Sequence, residues 1–196
     1  MRVNPKYIQL FGDALIPLLG FFWWNWSLYF IVLFYLLDYL SNEVFIHLKA
    51  KKILEYRKDG NSSWIKKGMI SFVLLVSSFV LIHLAMHAIQ PSIQFLDEVK
   101  NFWSYKDMGI EQGYILLPLI GLVGYQRYKM EFLVPKAHQV TTMSQLWKTH
   151  ISAHLLLIGF VALIIGVSGL IVFSDSVYIF GIVIVTGIYQ LLLTKQ

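Results

Sequence analysis

The sequence predicts an all-α protein, a polytopic bundle of transmembrane helices with five or six spans in a single domain, residues 1–196. Three observations predict it. Of the 196 residues, 57% are hydrophobic and only 14% are charged, where a soluble domain carries about 25% charge. The mean hydropathy is +0.64. The apolar residues also fall in runs near the ~20 residues that cross a bilayer as a helix. This composition excludes a disordered chain and a disulfide scaffold, and it argues against a soluble enzyme. Without cysteine, disulfides, iron–sulfur clusters and thiolate metal sites are ruled out, while the compartment stays open.

Spans are expected at about 8–22, 26–46, 68–89, 114–128, 151–173 and 177–193. Met1-Arg2-Val3-Asn4-Pro5-Lys6 resembles the start of a signal peptide, but no small-residue cleavage site follows, so it is read as mature protein. The first run, Ile8–Phe22, holds Asp13 and Pro17. Joined to the second run it would exceed about 55 Å, so a break is needed. Gly20–Asn25 is the place for it, and Trp23-Trp24-Asn25-Trp26 reads as an interfacial aromatic belt. Gly68–Ile89 is stopped by Pro91. Tyr114–Tyr128 is short and contains Pro118, Gly121 and Gly124. Ile151–Phe173 and Val177–Leu193 form a hairpin about the polar turn Ser174-Asp175-Ser176. Segment 97–112 mixes charges with aromatics and reads as a short amphipathic surface helix or as an ordered loop.

Loop charge orients the chain. Segment 47–67 carries seven basic residues and 127–149 carries four, whereas 91–113 carries two against four acids. The first two are therefore cytoplasmic and the third is external. Lys195 places the C-terminus inside. Six spans put both termini inside and are preferred. If Ile8–Phe22 does not span, five spans put the N-terminus outside. The net charge of +5 is thus positive-inside charge, and direct nucleic-acid binding is not expected.

Intramembrane acids are costly and mark candidate sites. Asp13, Asp38 and Asn42 form a candidate polar path, with Asn42 one turn from Asp38 and with Asn25, Arg127 or a hydroxyl as possible partners of Asp38. Glu43 and His47 are also one turn apart and suit a proton relay or a ligand pair. His83 with His87, and His150 with His154, have the spacing of metal-chelating pairs. The pairs lie roughly 15–25 Å apart in depth, so one metal cannot use both. No metal or other cofactor is predicted, and packing or interfacial roles are preferred for these histidines. Gly166-Val167-Ser168-Gly169 matches the Gly-x-Ser-Gly of rhomboid proteases. No histidine follows it on a later helix, so a smooth packing stripe through Ala162, Gly166 and Gly169 is preferred. No catalytic residues are assigned and a non-enzymatic role is expected. Lys49, Lys51, Lys52, Lys66 and Lys67 are candidates for binding lipid headgroups or a protein partner.

Asp13-Ala14-Leu15-Ile16-Pro17-Leu18-Leu19-Gly20, followed by Trp23-Trp24-Asn25-Trp26 and Tyr29, resembles the opening of small uncharacterised bacterial multi-spanning proteins. Size, span number and the Lys/Ile/Phe-rich style are similar to the multi-pass accessory proteins of type VI-B CRISPR loci. That resemblance implies a regulator of an RNA-guided RNA-cleaving effector in antiviral defence, seated in the bacterial inner membrane, with no catalytic residues. A cytoplasmic protein partner and homo-oligomers fit it. The alternative expectation is a small ion, proton or solute channel or transporter using Asp13, Asp38 and Asn42.

Overall fold

A computed structural model describes residues 5–57, 62–104, 106–107, 110–171 and 173–193. The protein is all-helical apart from a two-residue antiparallel pairing of Lys106–Asp107 with Ile110–Glu111. The helices are α1 (Pro5–Trp23), α2 (Leu28–Arg57), α3 (Ser62–Ile89), α4 (Phe95–Ser104), α5 (Gln112–Arg127), α6 (Ala137–Val140), α7 (Met143–Ser168) and α8 (Asp175–Leu193). A π-helical turn, Tyr128–Leu133, follows α5.

Among the described residues, four helices are long and apolar enough to cross a membrane: Leu28–Arg57, Trp64–Ile89, Met143–Ser168 and Asp175–Leu192. Side chains such as Phe72, Val76 and Val80 on α3, Leu155 and Leu163 on α7 and Ile184 on α8 point outward. That distribution suits lipid as the surrounding solvent. The other two expected spans fall on shorter helices. α5 has 16 residues, about 24 Å at 1.5 Å per residue against a hydrocarbon core of about 30 Å. In α1 the apolar stretch is Phe11–Trp23.

The expected break between the first two runs is present. Trp24 and Trp26 donate their backbone N–H groups to the Gly20 carbonyl, and Asn25 takes the left-handed conformation at φ 51° that Asn tolerates after a helix end. Ser27 then opens α2 by accepting the Phe30 N–H at 3.1 Å. Of the tryptophans read as a belt, Trp23 is exposed, whereas Trp26 is buried against Gly20 and Phe30 and serves the core.

Other expectations shift. Most of 47–67, read as a loop, is helical, because α2 runs on to Arg57 and α3 starts at Ser62. α7 starts at Met143 rather than near 151, fixed by a capping box between Thr142 and Gln145. It stops at Ser168 and α8 starts at Asp175, so the connection is longer than the expected turn at 174–176. The front of segment 97–112 is the helix α4, with Phe102 buried. The packing stripe on α7 is not used within the chain. Ala162 is exposed, and a Cβ at Gly166 would meet open space. A tight approach occurs instead at Gly124, where a Cβ would collide with the Phe45 ring and sit 2.5 Å from Ser41 Oγ.

α2 is the axis of the bundle, touching α1, α3, α4, α5, α7 and α8. Its N-terminal half packs with Met86, Phe102, Ile120 and Tyr178. Its C-terminal half packs with Phe132, Leu146 and Trp147. Tyr39 joins Leu75, Ala153 and Tyr189 between them. α3 and α7 make the most extensive helix pair. They run in the same direction, since Ser71 lies by His150 while Ser78 and His154 share Tyr39.

Candidate functional site

One turn of α2, Asp38 to Glu43, sends polar side chains to two faces and seeds two clusters. The first lies among α1, α2, α5 and α8. Arg127, at the end of α5, is paired with Asp13 through Nη2. Its Nη1 lies 3.5 Å from Asp38 Oδ1. Asn42 donates to Asp38 Oδ2 at 3.1 Å, and Gln190 donates to the same oxygen at 3.3 Å. The Arg127 side chain is only 12% exposed, so a desolvated guanidinium is shared between two carboxylates. Its position follows from the sequence, because Gly124 lets α5 close on α2 one turn before Arg127.

Asp13 sits where Pro17 interrupts α1. Proline has no N–H, so the carbonyl of residue 13 loses its helical partner. The Tyr35 hydroxyl supplies the replacement, donating to the Asp13 carbonyl at 3.1 Å. Cavities flank this cluster. One of about 360 Å³ is lined by Asp13, Tyr35, Thr186 and Gln190. Another of about 90 Å³ is lined by Asp38, Tyr39, Thr186 and Gln190. A third of about 30 Å³ lies between Asp13 and Asp38.

The second cluster is buried among α2, α3 and α7. Glu43 Oε2 lies 2.8 Å from His150 Nε2 and 3.3 Å from His154 Nε2. The two imidazole nitrogens are 2.8 Å apart. Ser71 donates to Glu43 Oε1 at 2.7 Å. His154 Nδ1 is hydrogen-bonded to the Tyr39 hydroxyl. That hydroxyl donates to Ser78 at 3.0 Å, and Ser78 donates to the Leu74 carbonyl at 2.8 Å. His47 Nε2 is 3.4 Å from Glu43 Oε1, at the half-exposed edge of the group. Glu43, His150 and His154 are all buried, and together they could hold a metal ion.

The structure thus brings Asp13, Asp38 and Asn42 together and supplies Arg127, one of the partners expected for Asp38. Asn25 is not its partner; it forms the turn before α2. The Glu43–His47 pair exists, yet the closer partners of Glu43 are His150 and His154. The other histidine pair stays apart. His83 is held by the Tyr29 hydroxyl at 2.9 Å and the Phe79 carbonyl at 2.7 Å, and His87 is exposed. Ser168 shares a 3.1 Å hydrogen bond with the Tyr178 hydroxyl.

Of the five lysines offered as a docking surface, two are engaged within the chain. Lys49 lies over the Phe132 ring, 5.7 Å from its centroid, and Lys52 is paired with Glu55 at 3.0 Å. Lys51 and Lys66 are exposed and Lys67 is half-buried.

Sequence reasoning missed Tyr39, Ser71, Ser78 and Gln190. A signal was present: Ser71 and Ser78 are two turns apart on α3, Thr186 and Gln190 one turn apart on α8, and Tyr39 one turn before Glu43. No family model, no curated protein and no solved structure matches this chain.

Proposed function

We propose that this membrane protein conducts protons or a small monovalent cation through the cluster of Asp13, Asp38, Asn42, Arg127 and Gln190. The observation that carries the reading is a charge imbalance. Among the described residues, two carboxylates share one guanidinium beside cavities in a low-dielectric setting. Two acids against one base leave room for a further positive charge, because unpaired charge in such a setting is costly. A proton or a small cation in the adjoining space provides it, and its release on the other side completes a transport step. In this reading α1 and α5 complete six spans of a bacterial inner-membrane protein, with both termini cytoplasmic.

The test is flux into proteoliposomes with a pH-sensitive dye inside. Asp38→Asn removes the surplus charge while keeping the shape, and it is expected to lower the flux at least tenfold. Lys51→Ala is expected to leave it unchanged. Wild-type flux in Asp38→Asn overturns the proposal.

A second reading is a membrane accessory that regulates a cytoplasmic partner, an RNA-guided effector of the type VI-B kind included, as a monomer or a homo-oligomer. It is favoured by Lys51 and Lys66, which stand exposed where α2 ends and α3 begins. Combined reversal to Glu at Lys51, Lys66 and Lys67 should abolish the effect of the chain in an interference assay. Retained topology with a retained effect rejects it.

A further inference from the structure

We propose that Glu43, His150 and His154 form a binding site for one divalent transition-metal ion of the zinc class. The site shares no side chain with the Asp13–Asp38–Arg127 cluster, so it stands independently of the transport reading.

The argument begins with proton counting. Tyr39 gives its hydroxyl proton to Ser78, and Ser78 gives its own to the Leu74 carbonyl. The Tyr39 oxygen is therefore left to accept, and His154 must present Nδ1–H to it. A neutral His154 then carries only a lone pair on Nε2. That lone pair faces Glu43 Oε2 at 3.3 Å and His150 Nε2 at 2.8 Å. His150 Nε2 also lies 2.8 Å from Glu43 Oε2 and 2.9 Å from Ser71 Oγ. One N–H on His150 cannot serve all three neighbours. Lone pairs outnumber protons in a site whose imidazoles are at most 1% exposed. A cation at their meeting point resolves this.

The geometry fits such an ion. Tetrahedral bonds of about 2.0 Å place ligand atoms about 3.3 Å apart. The three donor atoms here stand 2.8, 2.8 and 3.3 Å apart, so expansion by a few tenths of an ångström on two edges admits it. The supporting contacts are also those of a ligand set. Ser71 holds the second oxygen of Glu43, and the Tyr39–Ser78 relay fixes the tautomer of His154. His150 Nδ1 is buried with no hydrogen-bond partner, so its ring is oriented from the Nε2 side alone. Two imidazoles and one carboxylate suit zinc, cobalt or nickel rather than magnesium or calcium. Three protein ligands leave a fourth position for water or the Ser71 hydroxyl. His47, half-exposed and 3.4 Å from Glu43, marks the way in from the cytoplasmic end.

The test uses the full chain in nanodiscs, stripped with a chelator and titrated with Zn²⁺ alone by calorimetry. Co²⁺ absorption then reports the ligand type. One Zn²⁺ per chain is expected, with a tetrahedral nitrogen–oxygen Co²⁺ spectrum. Tyr39→Phe should weaken affinity about 10–100-fold, and Glu43→Gln and His154→Ala should weaken it further. His83→Ala and Asp38→Asn should bind as wild type, which separates this site from the transport cluster. If His154→Ala does not fold, Tyr39→Phe and Glu43→Gln keep the test decisive. No Zn²⁺ binding by the wild type overturns the proposal, as does binding undiminished in Glu43→Gln and Tyr39→Phe.

Discussion

A carbonyl freed by proline is a liability in apolar surroundings, because it must find another donor. The Tyr35 hydroxyl removes that liability at Asp13, next to a carboxylate that Arg127 must also hold. Tyr35→Phe should therefore destabilise the protein by about 1–3 kcal/mol, the cost of a buried acceptor left unsatisfied. Pro17→Ala restores the helical N–H, so Tyr35→Phe should cost much less in that background. Thermal unfolding of the four-variant cycle checks this, and equal costs in both backgrounds would refute it. Arg127 is a sharper case. Arg127→Met strands two partly buried carboxylates and should cost about 3–5 kcal/mol, while Arg127→Met combined with Asp13→Asn and Asp38→Asn should recover much of it. Single acids such as Asp13 and Asp38 were legible in the sequence because charge stands out in apolar runs. The neutral residues of the two clusters were not, since Ser71 beside Glu43, Ser78 beside Tyr39 and Gln190 beside Asp38 are ordinary residues of a membrane helix until a neighbouring helix supplies the partner.

At the scale of elements, two glycines set how closely helices approach. A Cβ at Gly20 would overlap the Trp26 indole, and one at Gly124 would overlap Phe45. Gly124→Ala should push α5 from α2 and cost about 1–3 kcal/mol by overpacking. Gly166→Ala, facing open space, should be close to neutral. A shared melting temperature for the two variants would contradict the close crossing. The caps act in the same way on a smaller scale. Thr142→Ala removes the side-chain half of the box that starts α7, the hydroxyl that accepts the Gln145 N–H, and should cost about 1 kcal/mol. Apolar runs located the four long helices, but not their ends. α2, α3 and α7 continue past the apolar segment as amphipathic helix, which hydropathy alone reads as loop. Glycine at Gly124 was visible in the sequence, whereas its partner helix was not, because a small residue declares closeness without saying to what.

For the whole molecule, α1 and α5 decide whether the spans number five or six. A chain without cysteine accepts single reporters cleanly. Cysteines at Lys51 and Lys148 should be labelled from one side of the membrane, and those at Asp97 and Asp175 from the other. An N-terminal tag on the side of Lys51 means that α1 crosses, giving six spans. A tag on the opposite side means five. The fold class was legible because lipid demands long apolar helices. The count was not, because α1 and α5 are near the limiting length and carry proline.

The parallel run of α3 and α7 also sets an order of assembly. Neighbours that point the same way cannot be joined by a tight turn, so α4 and α5 must be made between them. Glu43 and His150 are consequently 107 residues apart. At about 5–20 residues per second, the carboxylate on α2 waits roughly 5–20 s inside a growing chain before its imidazoles emerge. Until then Ser71 and His47 are the partners within reach. Nascent chains halted before α7 should accordingly be degraded faster than those halted after it, which makes the arrival of α7, rather than of α1, the step that commits the protein to its membrane.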